Sequence, residues 1–261
     1  MPVAVAVLIP WLIGAGINSV LAAIAWFVPK KLLTPAGLLH AWALGVIIWG
    51  TLGWRGYVVM MFYFLVGSAV TRIGLKQKEE EGIAEKRSGA RGPENVWGSA
   101  LIATLCALGV YTFALSPVVV LQRLVLLLVL GYVASMSTKL SDTCASEVGK
   151  AYGKRTFLIT TLKPVPRGTE GAVSLEGTLA GIAGSAAIAT VAWVVGLISP
   201  IGIPICMAAA FIATTIESVI GATLQSKFEW LTNELVNVVN TLIGAIAAIL
   251  IALGLQWVLF R

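Results

Sequence analysis

The chain has 261 residues, of which 58% are apolar and only 11% charged, with a formal net charge of +6 and a mean hydropathy of +0.93. Soluble domains carry about 25% charged residues, so this composition cannot supply the polar coat of a soluble globule, and it is equally unlike a disordered or collagen-like chain. It leaves an all-α polytopic membrane protein, one integral domain over 1–261 with lipid around most of its surface.

A helix needs about 20 apolar residues to cross roughly 30 Å of hydrocarbon. The apolar runs predict eight spans, at 3–28, 36–53, 56–75, 97–115, 117–136, 176–198, 201–224 and 234–259. Breaks fall at Pro29, Pro35, the Gly53–Gly56 turn, Pro117 and Ser199–Pro200. The second span is short and the first contains Gly14, Gly16 and Asn18, so a count of seven stays open. The N-terminal residues carry no basic stretch and no small-residue cleavage site, and the first run is expected to stay as a spanning helix.

Eight spans place four connections, 29–35, 76–96, 137–175 and 225–233, on one face. They hold fourteen of the 18 Lys and Arg residues, and Arg72 lies beside them. Arg55 and Arg261 fall on the opposite face, with Arg123 near it. The basic balance therefore reads as topology, not as a nucleic-acid partner, and puts the four loops in the cytoplasm. The acidic residues follow the same partition. The stretch 76–96 reads as a charged, solvated loop, with Glu79, Glu80, Glu81 and Glu85 among Lys76, Lys78, Lys86 and Arg87.

Cys106, Cys144 and Cys206 are far apart and form no CxxC, which argues against a zinc site or a disulfide framework. His40 is the only histidine, has no serine motif near it and reads as an interfacial residue.

Three stretches could carry chemistry. In Lys139–Lys150, Asp142 and Ser146 are four apart and share a face if the segment is helical, and Glu147 follows. Carboxylates beside hydroxyls near basic residues suit Mg²⁺, a hard ion that takes oxygen ligands and bridges phosphates, although a capped helix start with surface ion pairs reads equally simply. In Thr160–Ser174, two prolines stiffen a loop, Gly168 and Gly171 let backbone N–H groups come close to a ligand, and Lys163 and Arg167 supply charge. This suits an anion ahead of a helix, or is a plain turn; it is not a P-loop. At the start of the last span, Asn233, Glu234, Asn237, Asn240 and Thr241 fall on one third of the helix circumference. A polar stripe cannot face lipid; hydrogen bonding between helices accounts for the asparagines but less readily for Glu234, or for Glu217 in the neighbouring span. Glu94 and Asn95 form a fourth, weaker feature, a possible helix start.

The stretches Glu94–Trp97, Ser141–Gly149, Lys163–Ser174, Glu217–Gln225 and Leu231–Asn237, in this order, resemble the phytyl-phosphate kinase-like integral membrane family, long carried as the domain of unknown function DUF92. Cys144 departs from the larger, often aromatic residue of that family. The resemblance implies transfer of a phosphoryl group from a nucleoside triphosphate, CTP in the first instance, to phytyl monophosphate or a related isoprenyl phosphate. It implies Mg²⁺ as cofactor, the bilayer and the isoprenyl phosphate as partners, and a bacterial inner or thylakoid membrane as location. On this reading Asp142 and Glu147 hold Mg²⁺, with Glu217 and Glu234 completing the metal shell. Lys163 and Arg167 clamp the triphosphate, Gly168 and Gly171 supply backbone donors beside Thr169, and Asn95 and Asn233 orient the nucleotide. Ser146 and Asn237 meet the acceptor, and 137–175 is the nucleotide- and metal-binding loop. The rival readings are a CTP-dependent cytidylyltransferase making a CDP-lipid, and a secondary transporter. The oligomeric state is not legible.

Overall fold

The computed structural model describes residues 3–28, 31–225 and 227–259. Among these, seven helices are long and apolar enough to cross a membrane, and the protein is a polytopic all-α membrane protein. In chain order the elements are α1 (Val3–Phe27), α2 (Pro35–Thr71), the short α3 (Leu75–Glu80), α4 (Pro93–Ala114), α5 (Val119–Tyr152), the strands β1 (Thr156–Leu158) and β2 (Ala172–Ser174), α6 (Leu175–Val194), α7 (Gly202–Ile220) and α8 (Asn233–Leu259).

The two spans expected at 36–53 and 56–75 are the two limbs of α2. As one straight rod its 37 residues would reach about 55 Å. Instead, Arg72 beyond its C-terminal end donates to the carbonyl of Lys31, ahead of its N-terminal end, at 3.4 Å. Trp49 and Tyr57, each four residues from Gly53, pack edge to face with ring centroids 5.1 Å apart. The reversal is made by Gly53 at φ 64° and ψ −161°, a region essentially closed to residues with a Cβ. Gly53→Ala is expected to cost about 1–3 kcal/mol, read as a lower melting temperature of the detergent-solubilised protein; an unchanged melt would show that the turn is not strained.

The fifth helix also departs from expectation. The apolar run ending near 136 continues as helix to Tyr152, so residues 137–152, expected as loop, form the inner end of α5. Their burial explains why. From Val129 to Cys144 every residue is buried, as suits a central helix touched on all sides; α5 packs against α2, α4, α6, α7 and α8. Glycines bring the neighbours close. A Cβ on Gly177 would stand 2.6 Å from the carbonyl of Ala145, and one on Gly184 would stand 2.9 Å from Sγ of Cys144. Small residues of this kind permit tight helix approach within a bilayer, where apolar burial itself drives little association. The small Cys144 fits beneath α6 for the same reason.

After α5 the chain makes the antiparallel pair β1–β2, with Thr156 opposite Ser174. Ser174 then caps α6, its Oγ accepting from the backbone N–H of Gly177 at 3.1 Å. At the far end, Arg55 beyond the Gly53 turn donates to the carbonyl of Gly196 after α6, at 3.5 Å. The Arg72–Lys31 contact, the hairpin 156–174 and the α7–α8 connection therefore share the other face.

Candidate active site

On that face lies a cavity of about 450 Å³, lined from the 82–91 segment, the starts of α4 and α8, the inner ends of α5 and α7, and the β-hairpin loop. It contains Asp142, Ser146, Glu147, Gly168, Thr169, Gly171, Glu217, Asn95, Asn233, Glu234 and Asn237 of the residues singled out above. Lys163 and Arg167 are not among its walls. Lys163 is exposed on the hairpin loop. Arg167 is spent on the scaffold: it donates to Glu81 at 2.6 Å and to the carbonyl of Ala151 at 3.3 Å. The clamp expected from these two residues therefore does not form on the cavity.

The centre of the cavity is built on α5. Lys139, three residues before Asp142, donates to its carboxylate and to Oδ1 of Asn237 on α8, the latter at 2.7 Å. Ser146 Oγ lies 3.4 Å from the other oxygen of Asp142. Glu217 of α7 comes within hydrogen-bonding reach of Asp142 and accepts from Asn240 Nδ2 of α8 at 2.8 Å. The asparagines of α8 thus serve both ends of the expectation: Asn240 bonds a neighbouring helix, and Asn237 orients the site lysine.

Glu147 faces elsewhere. Lys78, 1% exposed, donates to it and, at 2.9 Å, to the carbonyl of Thr71. Lys150 lies 3.9 Å away from the same carboxylate. Glu147 is thereby committed to ion pairs that tie the 75–85 segment to α5, and is not placed beside Asp142 and Glu217 as one four-carboxylate shell. Among the described residues, no three acidic, cysteine or histidine side chains gather as a preformed metal cage. Nucleotide-bound Mg²⁺ does not require one, since it takes most ligands from water and phosphate and one or two from protein carboxylates. The adjacent Asp142 and Glu217 fit that demand.

Asn95 uses its side-chain oxygen locally, accepting from the N–H of Gly92 at 3.0 Å and from Arg87 at 2.9 Å. This fixes the start of α4 and sets Arg87 over the cavity, where Arg87 also pairs with Glu94. Asn233 accepts from Gln225, which ends a π-helical turn over Gly221–Gln225; such turns recur at functional sites. Among the described residues, the basic side chains on the walls are Arg87, Arg91, Lys139 and Lys150. In the sequence Arg87 and Arg91 read as loop charges, while Lys139 and Lys150 flank the Asp142 stretch. The readable signal was at Lys139, whose neighbours Met136 and Leu140 mark an apolar helix continuing past it.

The hairpin loop is seated by its glycines. Gly171 has φ 75°, and a Cβ there would lie 2.5 Å from the carbonyl of Ser218 and 2.5 Å from Cβ of Ala222. Gly171→Ala is expected to lift the loop from the end of α7 at a cost of about 1–3 kcal/mol. Proteolytic cleavage within 159–171 should then run at least about fivefold faster, because cleavage follows the open population; an unchanged rate would show that the loop is seated by other contacts.

His40 Nδ1 accepts from the indole of Trp97 at 2.9 Å and is not among the residues that line the cavity.

The model of integral membrane protein DUF92 matches residues 18–245. An uncharacterized membrane protein of Synechocystis is 67% identical over 240 residues, covering 92% of this chain and 90% of that protein. Protein VTE6, chloroplastic, of Arabidopsis thaliana is 46% identical over 221 residues, covering 84% of this chain and 65% of the plant protein. An uncharacterized membrane protein of Methanocaldococcus jannaschii is 30% identical over 224 residues, covering 85% of this chain and 87% of its own. No solved structure matches. With most of its length, the cavity-bearing helices included, inside that match, the chain belongs to the DUF92 family of integral membrane proteins.

Proposed function

We propose that the protein is a membrane isoprenoid-phosphate kinase, which transfers the γ-phosphoryl group of CTP to phytyl monophosphate or a related prenyl monophosphate. The observation that carries this reading is the single cavity on one membrane face in which Asp142, Glu217, Glu234, Lys139, Lys150, Arg87 and Arg91 converge. Phosphoryl transfer asks chiefly for alignment and charge compensation, which such a set can supply. A transporter reading would favour ionisable groups at the bilayer midplane between repeats, whereas these gather at one end of the helices. The positive-inside partition supports a cytoplasmic orientation for that end. The resemblance to the phytyl-phosphate kinase family and the chloroplast relative support phytyl as the acceptor.

In the reaction an oxygen of the prenyl phosphate forms a bond to the γ-phosphorus, the bond from that phosphorus to the β,γ-bridging oxygen breaks, and CDP leaves. The acceptor is already an anion at neutral pH, so no residue need remove a proton. Asp142 and Glu217 would hold Mg²⁺, which when bound neutralises the triphosphate. Lys139 keeps Asp142 and Asn237 in place. Arg87 and Lys150 offer charge to the phosphates, a role first expected of Lys163 and Arg167. Gly168, Thr169 and Gly171 bring backbone toward the nucleotide, Asn233 borders it, and Glu234 and Ser146 face the acceptor side.

The test is purified protein in detergent with CTP, Mg²⁺ and a panel of isoprenyl monophosphates, the products separated by thin-layer chromatography. A prenyl diphosphate formed with CDP supports the kinase. Pyrophosphate with a CDP-lipid makes the protein a cytidylyltransferase, and nucleotide-independent uptake into proteoliposomes makes it a transporter.

A further inference from the structure

A second cavity, of about 130 Å³, lies between α1, the two limbs of α2 and the start of α4, with walls that include Leu21, Ala22, Ala41, Met60, Met61 and Phe64. It is not separate from the first. Tyr63, Arg91 and Ser99 line both, so a polar and an apolar chamber meet at these three side chains. There Arg91 donates to the Tyr63 hydroxyl at 2.8 Å. Its guanidinium stands 5.1 Å from the Tyr63 ring centroid and 6.0 Å from that of Phe64. Gly67 leaves room for it, since a Cβ there would stand 3.0 Å from Arg91 Nη2. Tyr63 and Ser99 are themselves buried.

Resting on the kinase reading above, we propose that this second chamber is the acceptor's seat: Arg91, Tyr63 and Ser99 hold the monophosphate, and the apolar chamber takes the first isoprene unit of its tail. A guanidinium with two hydroxyls suits a phosphate monoester at the boundary with hydrocarbon. An apolar protein cavity of about 150 Å³ holds a benzene-sized guest, so this one takes about one five-carbon unit. The rest of the tail then leaves sideways into the bilayer past α1. That helix packs chiefly on α2 and turns Leu12, Ile13, Val20 and Ile24 outward, which makes it the wall best placed to admit a lipid laterally. The seat discriminates on the head and first unit of the acceptor and tolerates length beyond it.

The probe is a prenyl monophosphate carrying a diazirine in its first isoprene unit, irradiated on the full-length protein in detergent, with adducts mapped by mass spectrometry. Adducts are expected within 18–25, 38–45 and 57–64, suppressed by excess geranylgeranyl monophosphate. Ala41→Phe, which fills the chamber, should cut labelling and raise KM for the prenyl phosphate at least about tenfold, while the Kd for CTP holds. Adducts spread over the lipid-facing sides of α6–α8, or unaffected by the competitor, would overturn the seat, and equal suppression by phosphatidic acid would overturn its prenyl selectivity. Turnover decides the kinase reading separately. Competed labelling at the three segments without diphosphate formation keeps the seat and removes the kinase; diphosphate formation with adducts elsewhere does the reverse.

Discussion

Asp142→Asn is expected to lower turnover by about 10²–10³, the usual loss when one preorganised charge contact to a transition state is removed. The change is nearly isosteric, yet it strikes a carboxylate that meets three other cavity residues, Lys139, Ser146 and Glu217. Two consequences should separate. Loss of the negative charge weakens whatever cation the Asp142–Glu217 pair holds, so more Mg²⁺ is needed for half-maximal rate. The amide also pairs less well with the buried Lys139 ammonium, so the melting temperature should fall while the protein still reaches the membrane and elutes as one peak. The kinetic loss must exceed anything explained by unfolded protein at the assay temperature. Near wild-type turnover in Asp142→Asn would remove Asp142 from the reaction.

Lys78→Met is expected to have the largest effect on stability. Lys78 and Glu147 have side chains 1% and 3% exposed, and the pair joins the α3 segment to the inner end of α5. Removing Lys78 leaves the buried Glu147 carboxylate with only the longer Lys150 contact at 3.9 Å, and breaking a buried ion pair from one side costs about 3–5 kcal/mol. The same reasoning gives the control. Replacing both, as Lys78→Met with Glu147→Leu, leaves no orphan charge and should recover most of the loss. Thermal melts of the two single variants and the double variant in one detergent read this directly. A double variant no more stable than Lys78→Met would show that the pair is not the fastening between α3 and α5.

Much of this architecture was legible because its signals are local. Apolar length marked the spans, and proline and glycine marked their ends. Gly53 was readable as a turn; the backbone then makes that turn inside what is otherwise continuous helix. The extension of α5 was not legible. Lys139 to Lys150 is polar enough to pass for a loop, and only the surrounding helices, with Gly177, Gly181 and Gly184 against it, make it a buried rod. Asp142, Glu217 and Glu234 line one cavity; the sequence put them on one face, and their grouping with Glu147 as one shell came only from the family resemblance. The cations were assigned less well. Arg167 and Lys78 both sit in charge-rich stretches where nothing local tells a solvated side chain from one drawn into a tertiary pair, and each is fixed by a partner distant in sequence, Glu81 and Glu147. Arg91 is equally silent in sequence, since its aromatic neighbours Tyr63 and Phe64 lie on another helix.

In the proposed reaction the terminal phosphoryl group of a nucleotide reaches a prenyl phosphate held in the cavity. Parallel incubations with CTP labelled in the α- or the γ-phosphate, with phytyl monophosphate and Mg²⁺, follow that atom itself. The expected result is γ-label in the lipid product and α-label retained in CDP; α-label in the lipid, or no label there from either position with any prenyl monophosphate, would rule the kinase reaction out.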